Sequence, residues 1–308
     1  MKLSVTRHTI MKKVLTLITA LSLLGVVGTA ESSKKKAKQG KFKIAWQITE
    51  GLKAPESAYV DEGSGFLFLS QIGDGGGKGR DRDGWISKLT VTGEMVKNRW
   101  VVGLNAPKGL RSHDGTLWVS DIDTLVAIDI ATGRISKRIA IKDAQFLNDV
   151  AIGPDGSVYV SDMAASVIYR HRDGETTVFA SGSEIEHPNG LLVHDGKLII
   201  GGWGLDLQDD FSTPTVGRLQ AIDLKDKSHT LITKQPTGNL DGVEIDGKGG
   251  FIVTDWRAGK VFRISKRGKV RTLMEFPRGS ADHAYLVDRK WLILPEMLEN
   301  KLTAFVLK

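Results

Sequence analysis

Apolar and polar positions alternate in short bursts along this chain, and one burst recurs. NDVAIGPDGSVYVSD begins at Asn148, NGLLVHDGKLIIGGW at Asn189, and DGVEIDGKGGFIVTDW at Asp241; a fainter copy, KGLRSHDGTLWVSD, begins at Lys108. Each copy is a polar residue, an apolar strand, a glycine-containing turn and a second apolar strand. Period-2 alternation broken by such turns predicts paired β-strands rather than helices. The copies keep register: Gly109 to Val150 and Val150 to Leu191 are each 41 residues (150 − 109 and 191 − 150). A repeat of roughly 40–45 residues matches one four-stranded propeller blade. Such a unit cannot bury its apolar faces alone, so the copies must pack around an axis.

The pattern predicts an all-β, six-bladed β-propeller. Blades open near Ser57, Gly109, Asp149, Gly190, Gly242 and His283. Strand boundaries are soft enough that counts of five and seven stay open from spacing alone. The last blade has only three strands before Lys308, and Phe42–Ile48 (FKIAWQI) is expected to supply its fourth. An N-terminal strand pairing with the last blade closes the ring and leaves no open edge. Two stretches break the period. Gly190 to Gly242 spans 52 residues (242 − 190), which places an insertion at Leu205–Val216, and Gly73–Gly84 (GDGGGKGRDRDG) is glycine-rich. The latter has neither the Walker spacing nor a complete EF-hand pattern and reads as a loop.

The N-terminus has a different pattern. Lys12 and Lys13 precede an apolar run from Val14 to Val27, and small residues follow at Gly28-Thr29-Ala30. This is the three-part form of a signal peptide over residues 1–30, too short for a confident membrane span. Residues 31–41 hold five Lys and read as a basic linker before the propeller at 42–308. Export to the periplasm or the medium is expected, with no stable membrane span after cleavage. The charge of +7 resides in these segments. Removing the four bases of residues 1–30 leaves 39 basic against 36 acidic groups, and removing residues 31–41 leaves 34 against 35. A near-neutral body gives no reason to expect nucleic-acid binding. The chain has no Cys, which excludes disulfides, thiolate metal sites and a Cys nucleophile.

Aligning the blade openings produces one column: Glu56, Lys108, Asn148, Asn189, Asp241 and Asp282. First strands line a propeller's channel, so these side chains are expected to meet at one mouth. Asn-Gly and Asp-Gly are ordinary turn dipeptides, but their recurrence in register points to a site. Its hard oxygen donors suit Ca²⁺, with Zn²⁺ or Mn²⁺ as alternatives. By contrast, Asp121, Asp162 and Asp255 close second strands and are expected to bind backbone amides.

Ala54–Ser57 (APES), Leu147–Asp149 (LND), His187–Leu191 (HPNGL) and Asn239–Asp246 (NLDGVEID) carry a resemblance. Glu56 to Arg263 resembles the SMP-30/gluconolactonase/luciferin-regenerating-enzyme family of six-bladed propellers and, more distantly, the paraoxonases. The resemblance implies a divalent metal on Glu56, Asn189 and Asp241. It implies that Asn148 contacts metal, water or substrate, and that Asp241 is a general base. Two positions depart from the sugar-acid lactonases: Phe146 stands where they have Arg, and Val150 where they have Gly. The resemblance thus implies the metal propeller more than the sugar specificity.

The expected activity is metal-dependent hydrolysis of a small-molecule lactone or ester by a monomer. The metal would polarise the carbonyl and Asp241 or His283 would activate water, with Lys108, Asn148 and Asp282 holding substrate. His187 is a further candidate base. No Gly-x-Ser-x-Gly elbow surrounds Ser70, Ser120 or Ser161, against a serine hydrolase. A non-catalytic propeller that binds a ligand or protein through the channel mouth is the alternative, since propellers host both. Nothing favours a C–N bond-forming enzyme of the strictosidine-synthase type.

Overall fold

The computed structural model describes residues 42–308. The signal peptide and basic linker expected over 1–41 lie outside the described residues. Within them, six antiparallel four-stranded sheets form the blades of a propeller. Their innermost strands are Pro55–Asp61, Pro107–His113, Leu147–Ile152, Pro188–His194, Leu240–Ile245 and Ala284–Leu286. Each successive pair of inner strands lies side by side around the channel. Two 3₁₀ turns, Ser183–Ile185 and Met297–Glu299, are the only helical elements among the described residues. No helix there is long and apolar enough to cross a membrane.

Lys43–Ile48 is the outer strand of the sixth sheet, paired antiparallel with Lys301–Val306. The ring therefore closes through hydrogen bonds between its two ends. The expected insertion in blade four is a small hairpin of Gly204–Leu205 and Thr215–Val216, and Gly73–Gly84 links two strands of blade one as a loop.

The core lies between blades, not on the axis. Six apolar wedges fill the six interfaces. Phe68, Leu110 and Leu117 pack blade one on blade two, and Tyr159, Leu191 and Ile200 pack three on four. Leu67, Ala284 and Leu302 join six to one, with Trp46 and Ile48 of the closing strand against them. Apolar residues thus alternate inward on both faces of each sheet, which explains why middle strands read as nearly continuous apolar runs. The channel is left to polar side chains.

Candidate functional site

Five inner strands break register at the same place. Pairing with the second strand skips between Pro55 and Ala58, Pro107 and Leu110, Leu147 and Val150, Pro188 and Leu191, and Leu240 and Val243. Each skipped segment contains one column residue: Glu56, Lys108, Asn148, Asn189 or Asp241. A bulge frees a residue from the ladder and re-aims its side chain. The sixth member, Asp282, sits just before its strand, where Ser57 bridges to it in parallel. All six side chains are buried.

The glycines after Asn189 and Asp241 have a different purpose from turn formation. Neither has positive φ. A Cβ on Gly190 would lie 1.7 Å from the Asp241 carbonyl oxygen, and one on Gly242 would lie 2.6 Å from both Asp282 Oδ1 and His283 Nδ1. Glycine here lets neighbouring bulges approach around a narrow channel. Hydroxyls of the second strands then clasp blade to blade. Ser161 Oγ accepts from Asp149 N (2.9 Å) and donates to Asn189 O (2.7 Å). Thr254 Oγ1 accepts from Gly242 N (2.8 Å) and donates to Ala281 O (3.1 Å). Ser120 Oγ donates to Asn148 O in the same manner. These three hydroxyls fix the height of the column.

Asp121, Asp162 and Asp255 bind backbone as expected. Asp121 accepts from Asn105 N and Ala106 N, Asp162 from Gln145 N, Phe146 N and Ala165 N, and Asp255 from Ala258 N.

The ring is an electrostatic problem the protein leaves partly unsolved. Burial, with Asp241 and Asp282 nearby, pushes the Glu56 carboxyl well above its ordinary value; Lys108 opposes this. Burial and then Asp282 and Asp149 raise Asp241 likewise. Burial lowers Lys108 to about 8, against the pull of Glu56 and Asp121. Its ammonium donates to Gly77 O (3.0 Å) and Ala106 O (2.9 Å), which ties the glycine-rich loop to the channel mouth. Glu56 Oε2, both polar atoms of the Asn189 amide, and Asp282 Oδ1 are buried without a protein partner. Buried oxygens without donors are costly.

Such a set fits a hard divalent cation: two carboxylates and an amide oxygen, crowded, desolvated and short of positive charge. Among the described residues, no three of His, Cys, Asp and Glu form a ready metal cage. A cation site here would need the Asn189 amide oxygen beside the carboxylates, a ligand type that suits Ca²⁺.

His283 is wholly buried, with neither ring nitrogen bonded, and burial together with Arg111 lowers it to about 3. His187 lies outside the column, its Nδ1 2.7 Å from Met163 O.

Sequence reasoning missed the layer below the ring. Arg111, three residues along the inner strand from Lys108, is buried in the channel. Its Nη2 is 3.0 Å from Glu244 Oε1 and its Nη1 3.7 Å from Asp282 Oδ2. The guanidinium counters Asp149, whose carboxylate accepts from Val150 N (2.6 Å) and Leu191 N (2.7 Å). An arginine within an otherwise buried inner strand, KGLRSH, was the available signal. A cleft of about 1490 Å³ opens at the other end of the channel, with Glu244 at its wall.

Comparison with known proteins agrees with this architecture. The family described as "SMP-30/Gluconolactonase/LRE-like region" matches residues 55–284. No curated protein matches the sequence. Among solved structures, a gluconolactonase from Xanthomonas campestris is similar at a TM-score of 0.61 and 16% identity, over 83% of this chain and 87% of that one. A catalytically inactive virginiamycin B lyase from Staphylococcus aureus, solved with quinupristin, is similar at 0.59 and 15%, over 87% and 99%. A chain of a nidogen/laminin complex is similar at 0.55 and 14%, over 72% and 90%. At these identities the likeness shows the shared propeller.

Proposed function

This chain belongs to the SMP-30/gluconolactonase/LRE-like family, and on that premise we propose that it is a metal-dependent hydrolase of a lactone or related ester. The observation that carries this reading is the buried ring in which Glu56 Oε2 and Asn189 Oδ1 lack donors beside Asp241. Glu56, Asn189 and Asp241 would hold the ion, Ca²⁺ first by donor type. When bound, it would supply Lewis-acid polarisation of the carbonyl.

Asp241 acts as the general base, a buried carboxylate of the same ring that would hold the ion. His283, lowered to about 3, holds a proton too weakly for that task at neutral pH. Water oxygen bonds to the carbonyl carbon, its proton passes to Asp241, and the acyl C–O bond breaks. Asp241 returns the proton to the departing alkoxide, leaving a hydroxy acid, or an acid and an alcohol. Asn148 orients the water. Lys108 faces the negative charge of the product carboxylate, and Asp282 receives a substrate hydroxyl or the attacking water. Export, proposed from the N-terminal pattern, would place this chemistry outside the cytoplasm.

The test is calorimetric and kinetic. A bound ion stabilises the fold by about 2.7 kcal/mol at a hundred times its Kd. Added Ca²⁺ should raise the melting temperature of the wild type, and Asp241→Ala should lose both that rise and lactone hydrolysis. Asp162→Ala, which removes amide bonds outside the ring, should melt lower yet keep the Ca²⁺ increment. Equal ion affinity in wild type and Asp241→Ala would remove the metal site and leave the binding-propeller reading in its place.

A further inference from the structure

A second ring lies directly above the oxygen ring. In every blade the residue that follows the second strand is large and apolar: Ile72, Ile122, Met163, Trp203, Trp256 and Met297. Four of these are tied to the chain two residues before the column. Ile72 N donates to Ala54 O, Met163 N to Phe146 O, Trp203 N to His187 O, and Trp256 N to Asn239 O, at 3.0–3.1 Å. These four therefore share one height, a storey beyond Glu56, Asn148, Asn189 and Asp241. The six close into two arcs. Ile72 and Ile122 pack together with Met297 against them, and Met163 and Trp203 pack with Phe146, with Trp256 against them.

Both irregular loops join this collar. The blade-four insertion contributes Phe211, whose ring centroid is 5.0 Å from that of Phe146 and whose carbonyl accepts from Trp203 Nε1 (2.9 Å). The glycine-rich loop contributes Lys78, whose ammonium lies 4.7 Å from the Phe211 ring centroid. A substrate whose carbonyl entered the oxygen ring from this side would bring the rest of its molecule against rings, thioethers and aliphatic carbons. Hydroxyls on that part would lose water and find only the Lys78 ammonium among apolar groups, a penalty that binding sites use to reject. Apolar carbons would exchange water for close contact.

We propose that this collar, through Phe146, Met163, Trp203 and Phe211, determines specificity, and that the substrate is a lactone or ester bearing an apolar substituent rather than a polyol. The inference rests on the hydrolase reading, and the two fail separately in the following experiment.

The purified chain is assayed by pH-stat with Ca²⁺ on δ-decalactone and on glucono-δ-lactone, which share a six-membered ring and differ in substituents. Wild type should favour decalactone at least tenfold in kcat/KM. Phe211→Ala and Met163→Gln should each lower that preference about tenfold or more, mainly through the decalactone KM, with the glucono-lactone value within twofold. A merely structural collar would lower both substrates alike. Hydrolysis that favours the sugar lactone, or a ratio unmoved in both variants, overturns the inference and leaves the hydrolase reading standing. Should neither lactone be hydrolysed with Ca²⁺, Zn²⁺ or Mn²⁺, the hydrolase reading falls and tryptophan fluorescence decides. Saturable quenching by decalactone, absent with glucono-lactone and weakened in Phe211→Ala, upholds apolar recognition; no quenching overturns it.

Discussion

Glu244 is the residue at which burial and pairing contend most openly. Its carboxylate meets Arg111 at 3.0 Å, yet it is raised from 4.5 to about 7 because burial outweighs the guanidinium. Arg111 itself is held charged, its pKa raised by Glu244, Asp149 and Asp282 despite burial. Both groups are raised, which favours the charged arginine and the neutral acid, so the acid is the one whose charge state changes near neutrality. A carboxyl whose folded pKa exceeds its unfolded one binds its proton more tightly in the fold. The stability it contributes is present below about pH 4.5 and lost as pH rises towards 7. Removing the group in Glu244→Gln carries a constant cost from leaving Arg111 short of a partner, but it also removes this slope. Wild-type stability relative to Glu244→Gln should therefore fall by roughly 3 kcal/mol between pH 4.5 and 7.5, then level off. Urea midpoints of both proteins at several pH values, without added metal, check the sign; a difference that is flat or rises with pH contradicts it. The sequence made Glu56, Asn189 and Asp241 legible because they repeat in register. Arg111 and Glu244 each stand three residues after their blade's column residue, but a charge recurs there in only these two blades, and their pairing across 133 residues is not written in local pattern.

At the scale of the element, the strand pattern was readable and its distortion was not. Alternation and turn dipeptides located the inner strands within a few residues, because each face of each blade packs a wedge. The shared bulge was invisible, since one unpaired residue leaves hydrophobic alternation nearly intact. It also changes the meaning of Asn189-Gly190 and Asp241-Gly242, which resemble turns in sequence and are close crossings in the fold. Gly190→Ala tests that reading. The new methyl would fall 1.7 Å from the Asp241 carbonyl oxygen, where no side-chain rotation relieves the clash. The inner strands of blades four and five must part, at a cost of about 3 kcal/mol or more. Gly196→Ala is the contrast. Its Cβ would meet nothing within 4 Å, so only the strain of φ +71° applies, about 1 kcal/mol. Equal urea midpoints for the two variants would mean that the crossing is loose, and the narrowness of the ring would lose its main constraint.

The whole molecule depends on closure. A propeller has no central core; its stability is the sum of wedges, and every wedge needs two blades. Five blades are continuous in sequence, while the sixth borrows Lys43–Ile48 from the other end of the chain. That strand was legible because an extended apolar run stood where a three-stranded blade lacked a partner. Its outward face is exposed, so its hold comes from a few contacts. Trp46 and Ile48 pack on the wedge of blades six and one, Phe42 against the wedge of blades five and six, and Trp46 Nε1 donates to Val91 O of blade one (3.1 Å). Gln47 Nε2 donates to Thr303 Oγ1 (2.9 Å), and the backbone ladder runs from Lys43 opposite Val306 to Ile48 opposite Leu302. A chain beginning at Phe42 retains all of these, and one beginning at Thr49 loses them together. Partial burial of three large side chains, with the paired edge of Lys301–Val306 left open, places the loss at about 3–6 kcal/mol. The shorter chain should melt well below the longer one and self-associate at high concentration, because an unpaired edge is a template for another strand. Adding a synthetic peptide of residues 42–48 should restore part of the melting temperature, since the edge it fills remains formed in the other three strands. If the two truncated chains instead melt together, the ring holds without its closing strand. The wedge between blades six and one would then be carried by the remaining strands, through Leu67, Leu69, Leu89, Ala284, Ile293 and Leu302 among others.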